Sequence, residues 1–227
     1  MTSSEFNNVL KSISSQSLHV LDASLPKEKY IAIDLTERNA ELKTIDTSSS
    51  LVFSKYINAY LKKHEAVVAY GGYKEVRNIY DRSSHFSVVG EKRNIHLGLD
   101  FWCDAATPIF TPLDGIVHSF KNNKNLGDYG PTIILEHKIS NTKFYTLYGH
   151  LSLASITSLK IGQKFVKGEQ IATLGNISVN GDYPPHLHFQ IIRDIQDSFG
   201  DYPGVCSKKD LEFYIRNCPD PNLLLKF

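Results

Sequence analysis

The chain has no run of about eighteen apolar residues, so nothing in it reads as a membrane-spanning helix. Its first residues, MTSSEFNNVLKSISS, lack the basic-then-apolar layout of a secretory signal. As written the protein is expected in the cytoplasm, or in the periplasm or outside the cell if a signal has been removed. Charge of one sign is lacking too. Lys and Arg number 25 against 24 Asp and Glu, a formal net charge of +1, and no basic block stands out. That leaves no electrostatic footprint for a nucleic acid or an anionic surface. Cysteines are few: Cys103, Cys206 and Cys218 are odd in number and at no metal-site spacing, so they read as reduced thiols rather than a disulfide framework. Repeats and low-complexity tracts are missing. What remains is an ordinary globular composition over 227 residues, enough for one good core with appendages or for two small domains.

Along the chain, residues 3–14 can form a short helix. In LVFSKYINAYLKKH the apolar residues Val52, Phe53, Tyr56, Ile57, Tyr60 and Leu61 recur at helical spacing after a run of serines, with basic residues at the end. This predicts an amphipathic helix with a serine N-cap. From about residue 86 to 195 short β-branched or aromatic runs alternate with Gly, Pro, Asp and Asn turns, which predicts a compact antiparallel β domain. FSVVG, GLDFWC, TIILEHK, KFYTLYGH, QIATLG and HLHFQII are among its strands, and Asp114-Gly115 marks a tight turn. KNNKNLGDYG reads as a long polar surface loop. After 195 the β pattern stops. Ser207 to Asp210 has the spacing of a capping box before LEFYIRNC, and Pro219 and Pro221 end that helix. The expected organisation is an α+β extension over residues 1–85, a β core over 86–195 and a tail with a short helix over 196–227.

The chemistry sits in HLGLD at 96–100, HLH at 186–188 and His150 in YTLYGHL. Imidazole and carboxylate suit zinc, and a catalytic zinc needs three protein ligands and an open position for water. HxH on a strand puts both imidazoles on one face, with Leu187 turned the other way. One histidine of the pair can bind metal while its neighbour faces the substrate. Alone, an HxxxD spacing is a weak signal.

Order supplies the context. HLGLD, TPIFTPLDGIV, DYGPTIILEH, YTLYGHL, LKIGQKFVKGEQIATLGN and PPHLHFQI follow one another in a succession that resembles the lysostaphin/LytM-type zinc endopeptidases, metallopeptidase family twenty-three, over about residues 90–195. The resemblance implies a mainly β fold, an antiparallel sheet or barrel-sandwich-like core, with the site in a groove on the sheet. It implies one zinc ion held by His96, Asp100 and His188, and a non-ligand catalytic pair, His150 and His186. Tyr148 and Trp102 are candidates for the substrate groove, although a stacked or buried Tyr148 and a core or groove-wall Trp102 are the simpler readings. The implied activity is hydrolysis of peptide bonds, the partner a peptide of the peptidoglycan stem or cross-link type; oligomeric state stays open. His137 is expected to be structural, and His19, His64, His85 and His118 ordinary polar residues.

The chain departs from the family pattern in its bulky FWCDAATPIF after Asp100 and in its extra segments at both ends. The substrate then need not be wall peptide, and a residue of the extension could reach the metal, with Asp81, His85 and Glu91 as candidates. A different class of function is a peptidase-fold scaffold without catalysis, which typically lacks one of the five positions filled here. A lipoyl-type carrier, suggested by IGQKFVKGEQIATLG, needs a lysine at an exposed turn tip, and none stands out.

Overall fold

The computed structural model describes residues 1–82, 87–88 and 91–227, with only the backbone at 87, 88 and 91. The protein is mainly β. Its strands are β1 (Tyr30–Ala32), β2 (Val68–Gly71), β3 (Ser87–Val88), β4 (Glu91–His96), β5 (Leu99–Trp102), β6 (Pro108–Phe110), β7 (Gly115–Asn123), β8 (Gly130–Ile139), β9 (Thr142–Gly149), β10 (Lys164–Phe165), β11 (Gln170–Thr173), β12 (His186–Ile192) and β13 (Val205–Ser207). Eight of them form one sheet in the order β1-β2-β5-β12-β9-β8-β7-β10. All its pairings are antiparallel except β1 with β2. Two small sheets, β11-β6 and β13-β4-β3, complete the β structure. The sandwich-like core expected from the sequence is thus one large sheet with two small companions. Of FSVVG only Ser87–Val88 is described, as β3, and His85 lies outside the described residues.

The two faces of the central strands have different fates. Because side chains alternate along a strand, Leu99 and Phe101 of β5, Leu187 and Phe189 of β12 and Tyr148 of β9 share one face and enter the main core with Phe6, Leu10, Ile133 and Leu135. Asp100, Trp102, His186 and His188 point the other way. That second face is covered by the flanking segments. From the N-terminal side comes α2 (Ser50–Lys63), whose Phe53 meets Trp102 edge-on at 5.4 Å between ring centroids. From the C-terminal side come Tyr202, Cys206 and Cys218, packed on Ile134, Leu147 and Ile192. Strands from both flanks also join the sheets: β2 pairs with β5, and β13 with β4.

The helices follow local signals. Helix α2 has Ser49 as N-cap, its hydroxyl accepting from the Val52 amide at 3.4 Å, and Lys62 and Lys63 in its last turn. The N-terminal helix, α1, spans Ser3–Ser12 behind a reciprocal Thr2–Glu5 capping box. The helix Leu211–Asn217 forms, but the Ser207–Asp210 pair closes the turn before it rather than capping it: the Asp210 amide donates to Ser207 Oγ at 3.3 Å and the hydroxyl donates back to the carboxylate at 3.0 Å. KNNKNLGDYG is also not a plain surface loop. β7 runs through Lys121 to Asn123, and Asp128, Tyr129 and Gly130 are buried.

Candidate metal centre and cleft

Strand register builds the site. On β12 and β5, His188 lies directly opposite Asp100, and His186 opposite Trp102. β4, of the small sheet, ends at His96, and after Leu97 and Gly98 the chain returns as β5 of the main sheet. Gly98 makes that return possible, because a Cβ there would stand 2.7 Å from both His188 Cε1 and the Phe189 carbonyl oxygen. His150 follows β9 with φ of +63°, a left-handed conformation uncommon for histidine. Three hydrogen bonds hold it there: its amide to the Tyr129 carbonyl at 2.8 Å, its carbonyl from the Gly175 amide at 2.9 Å, and Nδ1–H to the Asn180 carbonyl at 2.8 Å.

Among the described residues, His96, Asp100 and His188 form a group able to hold a metal ion. Their donor atoms make a nearly equilateral triangle. His96 Nε2 is 3.0 Å from His188 Nδ1 and 3.2 Å from Asp100 Oδ1, and His188 Nδ1 is 3.0 Å from Asp100 Oδ1. Zinc ligands at about 2.0–2.1 Å in a tetrahedron stand about 3.3 Å apart, so the triangle has the size of one tetrahedral face. The donors are 1–3% exposed. Electrostatics prepares them for a cation. Burial, with repulsion from Arg77, lowers His96 to about 4, so the ring is neutral with a free lone pair. Burial alone would raise the Asp100 carboxyl, but the neighbouring His96 and Arg77, with His188, hold it well below the usual carboxylate range.

Each donor is fixed from behind. His96 Nδ1 meets the Gly72 carbonyl at 3.1 Å, Asp100 Oδ2 accepts from Arg77 Nη1 at 2.5 Å, and His188 Nε2 meets Gln190 Oε1 at 2.9 Å. Such partners fix a ligand's tautomer and aim.

Beside the triangle lie the other two histidines. The rings of His150 and His186 are 4.1 Å apart between centroids, and His186 stacks on Trp102 at 3.8 Å. His186 Nδ1 donates to the Pro184 carbonyl at 2.8 Å. Both rings therefore keep Nε2 as the acceptor. Burial lowers His186 to about 4 and, helped by His186 itself, lowers His150 well below its ordinary value.

All five residues line a cavity of about 370 Å³ together with Trp102, Arg77, Tyr80, Tyr129, Tyr183, residues 198–199 and residues 201–205. Tyr148, a groove candidate from the sequence, is not in it. Its cross-strand partners are Phe189 and Ile133, so it shares their core face, and its hydroxyl bonds Thr111 and Thr146. Asp81 does not reach the triangle either: it is exposed and pairs with Lys92 at 2.8 Å. The side chain of Glu91 lies outside the described residues. The extension reaches the site through Arg77 and the Gly72 carbonyl instead. Neither shows in the sequence, whereas Gln190 could have been read from HLHFQ, where alternation puts it on the face of His186 and His188.

A model of peptidase family M23 matches residues 94–198. The chain carries a family M23 peptidase domain. Relatives of this chain include the peptidoglycan DD-endopeptidase ShyA of Vibrio cholerae, 37% identical over 98 residues that make up 43% of this chain and 20% of that protein. An uncharacterized metalloprotease of Haemophilus influenzae is 36% identical over 95 residues, 42% of this chain and 18% of that one. Another, from Buchnera aphidicola, is 26% identical over 82% of this chain and 43% of its own. The chain thus spans less than half the length of these relatives. Among solved structures, it is similar to a zinc containing peptidase from Vibrio cholerae at a TM-score of 0.38 and 26% identity, over 53% of this chain and 31% of that one. The catalytic domain of lysostaphin from Staphylococcus simulans gives 0.37 and 22%, over 56% and 84%.

Proposed function

We propose that this chain is a zinc-dependent endopeptidase that hydrolyses peptide bonds in cross-links of the peptidoglycan type. The observation that carries the reading is the donor triangle of His96, Asp100 and His188, whose edges of 3.0–3.2 Å fit one small tetrahedral dication. Two imidazoles and one carboxylate are a donor set that zinc favours. Bound there, zinc supplies Lewis-acid activation of a carbonyl and of a water molecule.

The remaining chemistry belongs to the chain's own side chains. Peptide hydrolysis requires a proton to leave the attacking water and one to reach the departing amine. His150 and His186 stand next to the donors with Nδ1 tied to backbone carbonyls, so each offers Nε2 to the cavity side of its ring. Held neutral by burial, either ring can accept the water's proton at Nε2 and return it to the departing amine as the C–N bond breaks. Trp102 fixes the tilt of His186 by stacking and walls the cavity. The relatives named peptidoglycan DD-endopeptidases support the substrate class.

The test is mass spectrometry of defined cross-linked muropeptides incubated with zinc-loaded protein and with Asp100→Ala. Loss of cross-linked fragments with the wild type alone supports the wall-peptidase reading and names the bond. Stoichiometric zinc without cleavage removes that substrate and leaves a non-wall hydrolase or a silent scaffold.

A further inference from the structure

The hydrogen bonds that orient the three donors converge on residues outside the 94–198 segment. Gly72 holds His96, Arg77 holds Asp100, and Gln190, which holds His188, is itself anchored to the Pro203 carbonyl at 3.1 Å and Cys218 Sγ at 3.2 Å. Of these, Arg77 is the least expected. A fully buried guanidinium is stable only when paired and hydrogen-bonded. Arg77 is 0% exposed. Nε bonds Glu75 Oε2 at 2.8 Å, and Nη1 bonds both Asp100 Oδ2 and, at 3.3 Å, the Tyr80 hydroxyl. Its backbone amide is tied to the Asn94 carbonyl, two residues before His96.

We propose that Arg77 is a positioning residue of the metal centre: it occupies Asp100 Oδ2 so that Oδ1 alone is offered to the metal, and the segment around residues 72–80 is thereby a working part of the site. The inference rests on the metal-centre reading above. A carboxylate can bind a metal through one oxygen or two, and a second oxygen would take the position that a catalytic site keeps open for water. Glu75 completes the device. The two carboxylates against one guanidinium leave the neighbourhood one net negative charge, which favours a dication while Oδ2 stays engaged. A bystander ion pair would serve stability alone; this one ends on a donor of the triangle.

The experiment measures zinc affinity by chelator competition, and the visible absorption of the cobalt-substituted protein, for the wild type, Arg77→Met and Arg77→Lys. Circular dichroism melting establishes that each variant is folded. Arg77→Met should bind zinc about 10–100-fold more weakly, as for other ligand-orienting partners. Its cobalt bands should lose intensity as Asp100 adds its second oxygen and the coordination number rises, and Arg77→Lys should recover most of the wild-type spectrum. A folded Arg77→Met that binds zinc within twofold of wild type with an unchanged spectrum overturns the proposal. If Arg77→Met does not fold, Glu75→Gln is read in its place, with a several-fold weakening expected and no change overturning. Wild-type protein that binds no metal sinks the metal-centre reading, and the role of Arg77 with it. Normal wild-type binding with silent variants sinks only the latter.

Discussion

Replacing Gly98 with alanine tests whether the return between β4 and β5 sets the position of His188. A Cβ on Gly98 would lie 2.7 Å from His188 Cε1, 2.8 Å from its Nε2 and 2.7 Å from the Phe189 carbonyl oxygen, against ordinary contacts of 3.4–4 Å. Something must give by about 0.7 Å or more, the gap between those distances. The carbonyl cannot rotate away, because β12 is hydrogen-bonded on both sides, to β5 and β9. The imidazole must therefore shift, and with it the Nδ1 that closes two edges of the donor triangle. Overpacking of this kind costs about 1–3 kcal/mol. For a chain of this size that is a drop of about 2–12 °C in the melting temperature of the metal-free protein. Zinc affinity should fall at least about tenfold, or 1.4 kcal/mol, by isothermal titration. Gly162→Ala is the control. Gly162 has φ of +82° with nothing within 4 Å of a Cβ, so it should suffer left-handed strain of about 1–2 kcal/mol and bind zinc normally. A Gly98→Ala protein that melts within a degree of wild type and binds zinc as tightly would refute the reasoning.

Three further outcomes follow from the same geometry. His150→Ala and His186→Ala should each retain zinc while cleavage slows by about 10²–10⁴-fold; a variant that loses its metal instead would show that the pair builds the site rather than working in it. Tyr148→Phe removes a hydroxyl bonded to Thr111 and Thr146 on the core face, so it should lower stability by about 1 kcal/mol and leave KM and kcat unchanged, and a raised KM would return Tyr148 to the groove. Burial lowers His137 from 6.5 to about 4, so the unfolded chain takes up a proton that the fold refuses. The stability tied to this residue is complete above pH 6.5 and falls by about 3 kcal/mol as the pH drops to about 4. Urea titrations at both ends of that window should show a smaller acid loss in His137→Gln, and equal losses in the two proteins would exclude the linkage.

Short-range order in the sequence carried much of the fold, and it stopped where contacts became long-range. The helix at Ser50–Lys63 and the strand HLHFQII could be read because their periodicities are local and unbroken. HLGLD and HLH likewise carry the donor cluster, since alternation along β5 and β12 leaves few ways to place their polar side chains. Tyr148 shows how narrow that margin is. It stands two residues from His150, yet alternation sends it to the core, and His150 reaches the cleft by abandoning strand geometry at φ of +63°. No local pattern announces that turn, because the groups that hold it come from two other segments, Tyr129 from one and Gly175 and Asn180 from the other. KNNKNLGDYG departs from expectation for the same reason: its polar composition suits solvent, but Asp128 and Tyr129 are drawn inward to line the cavity. Arg77 was the least legible of all. A lone arginine among Val76, Asn78 and Ile79 looks like any solvated residue, and only the path of the extension past β4 brings it to Asp100. Where one side chain's partner is a buried carboxylate twenty-three residues away, burial and charge pairing decide its role, and both belong to the assembled fold rather than to any stretch of sequence.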